Sequence, residues 1–107
     1  MAMDYPNACK IVIMRHKLYA LRDAASPSQY QRIDDQLDRL DPYTQAANAL
    51  VMQYSDHEFA AAAKALQAQI KPITDAIANI ARINTALTTA AKIIDDIIAA
   101  VGVVAAV

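Results

Sequence analysis

Residues 66–101 read LQAQIKPITDAIANIARINTALTTAAKIIDDIIAAV, and the pattern in this stretch decides the fold. Leu66, Ile73, Ile80, Leu87, Ile94 and Val101 recur every seven residues, with Ile70, Ile77, Asn84, Ala91 and Ile98 interleaved. That is the a/d spacing of helices packed side by side. As one straight helix the stretch would be roughly 50 Å long at about 1.5 Å per residue, whereas a domain of this size has a radius of gyration near ~13 Å. The seam is therefore expected to fold back, to bend, or to lie against another chain.

Pro72 interrupts the seam chemically, since it removes one backbone donor and disfavours helical geometry at Lys71. Leu66, Ile70, Ile73 and Ile77 nevertheless keep phase across it, and no glycine or capping residue marks a turn there. The phase favours one kinked helix over two separate ones. A turn at Pro72 would instead make residues 43–70 and 73–101 a long antiparallel hairpin. Asn84 occupies an a-type position, where a polar side chain costs stability and fixes register if a partner matches it; the alternative is an asparagine facing solvent at the rim of a bundle. Ile83, Ile93 and Ile97 widen the stripe, as in a helix buried on two sides or one that offers a docking surface.

Upstream, Ile11, Met14, Leu18, Leu21 and Ala25 form one stripe on a first helix expected over residues 6–24. Ser26-Pro27-Ser28-Gln29 reads as a stop and restart, with a capping serine, a proline at the first helical position and a glutamine three residues on. A second helix over residues 27–40 carries Tyr30, Ile33, Leu37 and Leu40 inward. Asp41-Pro42 repeats the device and predicts a third helix over residues 42–54. Ser55-Asp56-His57-Glu58 is a capping box that predicts a further start, giving residues 56–71 and then 72–101. The expected fold is all-α: a small antiparallel bundle of four or five helices in a single domain, ending in a long, kinked C-terminal helix.

Composition narrows the function. The chain has 107 residues, enough to bury a core without disulfides or metal, and 56% of them are hydrophobic, largely alanine. Gly102 is the only glycine, so the positive-φ turns of β-hairpins are almost unprovided for. A net charge of −1 gives no global attraction to nucleic acid or anionic membrane. Cys9 is the only cysteine, which excludes an intrachain disulfide and reads as a small buried hydrophobe. The N-terminal residues lack the basic-then-apolar pattern of a secretory signal, and the expectation is a cytoplasmic protein.

Candidate chemistry dissolves on inspection. His57 between Asp56 and Glu58 looks like a ligand cluster, but adjacent helical residues point roughly 100° apart and do not converge on one atom. Asp34, Asp35 and Asp38 share part of a helical face, and the bland reading is a solvated acidic surface. Lys10, Arg15, Lys17 and Arg22 make the first helix basic, yet their charges fall on two stripes and no aromatic platform accompanies them, so nucleic-acid binding is not expected. No nucleophile triad, phosphate loop or nucleotide fingerprint occurs in the sequence. No enzyme activity, cofactor, metal or small-molecule substrate is expected.

The expected function is protein–protein interaction through the apolar C-terminal seam, with Ile77, Ile80, Asn84, Leu87, Ile94 and Ile98 as the contact residues. The partner would be another protein, a second copy of the chain, or both. Immunity proteins, secretion chaperones and adaptors are small, mildly acidic helical proteins of this general class. The alternative is a membrane-docking helix built from residues 93–107, disfavoured because Asp95 and Asp96 would be buried and only Lys92 offers a nearby cation.

Overall fold

Asp4, Ser55 and Asn79 supply the polar caps that start three of the helical segments. A computed structural model describes residues 3–102, and its α-helices are α1 (Tyr5–Ala24), α2 (Tyr30–Val51), α3 (Asp56–Ala78) and α4 (Ile83–Val101). Short 3-10 turns over Pro27–Gln29 and Ile80–Arg82 join α1 to α2 and α3 to α4. The Asp4 carboxylate accepts the Asn7 N–H at 2.9 Å, with Pro6 in the first turn where its missing donor is harmless. Ser55 and Glu58 form the reciprocal box, Oγ accepting the Glu58 N–H at 3.2 Å and the glutamate accepting the Ser55 N–H at 3.1 Å. At the first corner, Gln29 Oε1 accepts the Ser26 N–H at 2.9 Å.

The molecule is a small all-α antiparallel bundle. Its most extensive contact is α1 on α2; α1 also packs on α3, and α4 packs on α3 and α2. Tyr5 stacks on Tyr54 at one end of α1, while Lys17 further along the helix lies beside Lys71 and Thr74 of α3. Thus α1 and α3 run in one direction. Arg32 to Asn84, Arg39 to Asp95 and Tyr43 to Gly102 are contacts in ascending order along both helices, so α2 and α4 run together in the other. The principal extents of 36 × 35 × 19 Å describe a slab and not a slender rod. Every buried residue among those described is apolar, and one core joins all four helices through residues such as Leu18, Leu40, Ile73 and Ile94.

Two expected boundaries are corrected. The corner at Asp41-Pro42 does not exist: residues 27–40 and 42–54 do not form two helices, because α2 runs through Pro42 to Val51. Leu40, Tyr43 and Ala47 extend the buried stripe of Ile33 and Leu37 without a change of face, and Pro42 stands on the exposed side. The ring therefore disturbs only the solvent side of the helix, while packing on α1 holds the inner side.

The second correction concerns the C-terminal half. No long kinked helix spans residues 72–101, since Pro72 lies inside α3 and the chain breaks seven residues later, at Asn79. Asn79 takes an extended conformation (φ −145°, ψ 94°), and its side chain accepts the Ala81 N–H at 3.2 Å. The two segments fold back as a hairpin, satisfying the apolar seam within the chain. Of the apolar tail expected over residues 93–107, residues 103–107 lie outside the described residues.

Candidate interaction surface

The corner at Asn79 re-phases the seam, and the expected contact residues separate accordingly. Leu87 (6% exposed) and Ile94 (0%) are core residues. Ile77, Ile80 and Ile98 are half-buried at the edge of the same core. Asn84 is exposed on α4, where its Oδ1 accepts a hydrogen bond from Arg32 Nη1 at 2.8 Å. After the break the inner row is Ile83, Ala86, Ala90, Ile93 and Ile97, displaced by one residue from the expected Asn84, Ala91 and Ile98. An extended residue followed by a turn of 3.0 residues per revolution shifts the phase of everything after it. Asn84 thus pins the surface of the α2–α4 contact, alongside the Arg39–Asp95 ion pair, and does not sit inside a seam.

The membrane alternative loses its described half in the same way. Ile93, Ile94, Ile97 and Val101 are all buried against the other helices. No helix among the described residues is long and apolar enough to cross a membrane.

A recess of about 560 Å³ lies elsewhere, between α1 and α3. Ile13 of α1 and Ile70 of α3 form its floor, each less than a tenth exposed, with Ala63 and Ala68 on its walls. Lys17 and Lys71 stand at its rim with Gln67 and Thr74. Small alanine side chains keep the α3 wall low, and the lysine stems extend the apolar surface upward while their ammonium groups reach water. A recess of this volume, with an apolar bed and a few polar groups at its edge, has the proportions of a binding site. Neither the floor nor the rim belonged to the expected contact set.

At the end of the bundle where α1 begins, Tyr5 and Tyr54 stack with ring centroids 3.8 Å apart. Tyr54, the residue before the Ser55 cap, thus reaches across to α1. The Tyr5 hydroxyl is enclosed and has no hydrogen-bond partner. Burial, aided by the Cys9 thiol and the Glu58 carboxylate, pushes this phenol from an ordinary 10.0 up to about 12. Between those values the unfolded chain releases a proton that the native protein keeps. The stabilising contribution is therefore complete below pH 10 and is lost as the pH rises toward 12. Urea midpoints measured across this range are expected to fall more steeply for the wild type than for Tyr5→Phe, with difference absorbance of tyrosinate showing one phenol that titrates late. Parallel slopes would contradict this.

Several of the charged residues weighed in the sequence are held by neighbours on the surface. Arg22 Nε donates to Asp34 Oδ1 at 2.8 Å across the first corner and its guanidinium lies over the Tyr30 ring, 4.5 Å from the centroid. Asp35 accepts from Gln31 at 2.7 Å, and Asp38 and His57 are exposed. Among the described residues no group of three or more His, Cys, Asp and Glu side chains is arranged to hold a metal ion. Cys9 is fully buried and free. Comparison of the chain with protein-family models, curated proteins and solved structures gave no match.

Proposed function

We propose that the protein is a non-enzymatic helical interaction module, immunity-, chaperone- or adaptor-like in kind, that acts in the cytoplasm by seating a helix of a partner protein in the α1/α3 groove. The observation that carries this reading is the groove itself: an open recess of about 560 Å³ between two helices, walled by Ala63 and Ala68 and closed at the bottom by Ile13 and Ile70 of the core. Helix-in-groove recognition uses this kind of bed, with apolar anchors below and polar contacts at the rim. The C-terminal seam proposed from sequence as the contact surface retains only its edge, at Ile77, Ile80 and Ile98. Self-pairing through α4 would have to use that edge.

A photo-crosslinking residue placed at Ala68, at Ala99 on the exposed face of α4, or at Ala49 on the exposed face of α2 tests the proposal. In lysate of the source cells, the Ala68 variant is expected to capture one discrete protein that the Ala49 variant does not. Capture from Ala99 alone would move the interface to α4, and capture from none of the three would overturn the interaction reading.

A further inference from the structure

We infer that the occupant of the α1/α3 groove is acidic: an amphipathic helix whose apolar stripe is flanked by carboxylates. This rests on the docking reading above and adds the chemistry of the partner.

The inference comes from where the cations stand. Lys10 and Lys17 are seven residues apart on α1, and Lys64 and Lys71 are seven apart on α3. Seven residues are about two helical turns, or about 10.5 Å, so each pair stands on one stripe of its helix. Lys17 and Lys71 rim the groove directly, and Lys10 and Lys64 continue the same two stripes toward the helix starts. Because α1 and α3 run in the same direction, the stripes form two parallel rails. Among the described residues Lys10, Lys17 and Lys64 make no ion pair; Lys71 meets Asp75 at 2.7 Å, a carboxylate it shares with Arg82 at 3.9 Å. A chain with net charge −1 thus keeps two cations at the rim of this recess and two more on the same helical stripes beyond it.

Other occupants fit less well. A second copy of the chain could offer the acidic outward face of α2, but Asp35, Asp38 and Asp41 are accompanied there by Gln31 and Gln45, with no large apolar side chain to fill the floor. A lipid surface requires protruding apolar groups, whereas Ile13 and Ile70 are recessed between helices. A helix carrying Leu or Ile at i, i+3, i+4 and i+7, with Asp or Glu on both flanks, meets both the bed and the rails.

Three synthetic peptides of about 14 residues, roughly 21 Å as helices, test this on the intact protein. All share one leucine stripe, and the flanking positions carry glutamate, glutamine or lysine. Fluorescence anisotropy is expected to show the glutamate peptide binding about tenfold more tightly than the glutamine peptide, with the lysine peptide weakest. Added salt should narrow the gap. Lys17→Glu combined with Lys64→Glu should reverse the order, whereas Lys92→Glu on α4 should leave it unchanged; circular dichroism confirms that each variant is folded. Equal binding of the glutamate and glutamine peptides overturns the charge inference and leaves the docking reading standing. Failure to bind any peptide overturns both, and binding only to phosphatidylserine vesicles overturns both in favour of a membrane surface.

Discussion

Ile94→Ala is expected to lower the stability of the fold by about 3–4 kcal/mol, while Ile98→Ala, four residues away, costs about 1 kcal/mol. Ile94 is fully buried, and removing its three carbons leaves a cavity between helices that are already paired; Ile98 stands half-buried at the edge, where water can fill the vacated space. Domains of this size hold a total of roughly 5–15 kcal/mol, so the first change removes a large share of it. The melting temperature should fall on the order of 15 °C for Ile94→Ala and by about 5 °C for Ile98→Ala. Urea titrations with equal slopes give the two values directly. The comparison also decides what the isoleucine-rich segment is for. A docking seam would leave the isolated protein's stability nearly unchanged in both variants, and equal small losses would return Ile94 to the surface.

How much of this was visible in the sequence depends on whether the relevant physics was local. The helical class was legible because the lone glycine, the Ser55–Glu58 box and the Leu66–Ile70–Ile73 stripe each speak for a helix within a few residues. The corner at residues 79–82 was concealed by the heptad itself. Ile73, Ile80, Leu87 and Ile94 keep a seven-residue spacing straight through it, so one row of the seam looks unbroken although the other slips by one residue. Asn79 was the available signal, since asparagine caps readily and Ala78-Asn79 closes a stripe that ends at Ala76. Pro72 masks it, because a proline reads as a break whether or not its missing donor faces water. The groove could not be read from the sequence at all. Ile13 and Ile70 each look like ordinary stripe residues, and only the tertiary pairing of α1 with α3 turns them into a shared floor. The lysine repeats at 10/17 and 64/71 were present in the sequence, but two separate stripes become one charged channel only when their helices are neighbours.

Pro42 poses the opposite problem, and its replacement is the sharpest check on α2. Pro42→Ala is expected to raise stability by about 1–2 kcal/mol and the melting temperature by roughly 5–10 °C. A proline inside a helix forfeits one backbone hydrogen bond and crowds the carbonyl four residues earlier, at a cost of about 3 kcal/mol. Part of that is relieved here because Pro42 and Asp38 are exposed, so water reaches the unused carbonyl. Alanine also frees the unfolded chain, which offsets the gain by about 0.4–1 kcal/mol. The surplus remains positive only if α2 is continuous from Tyr30 to Val51. Were Asp41 capping a new helix with Pro42 at its first position, the proline would be pre-organised for its place, and alanine there would be neutral or destabilising. Thermal melts of the wild type and Pro42→Ala therefore separate one helix from two by the sign of a single shift. A rise fixes Leu40, Tyr43 and Ala47 on one uninterrupted buried face of α2, the helix that packs on α1 and so helps to hold its side of the groove in place.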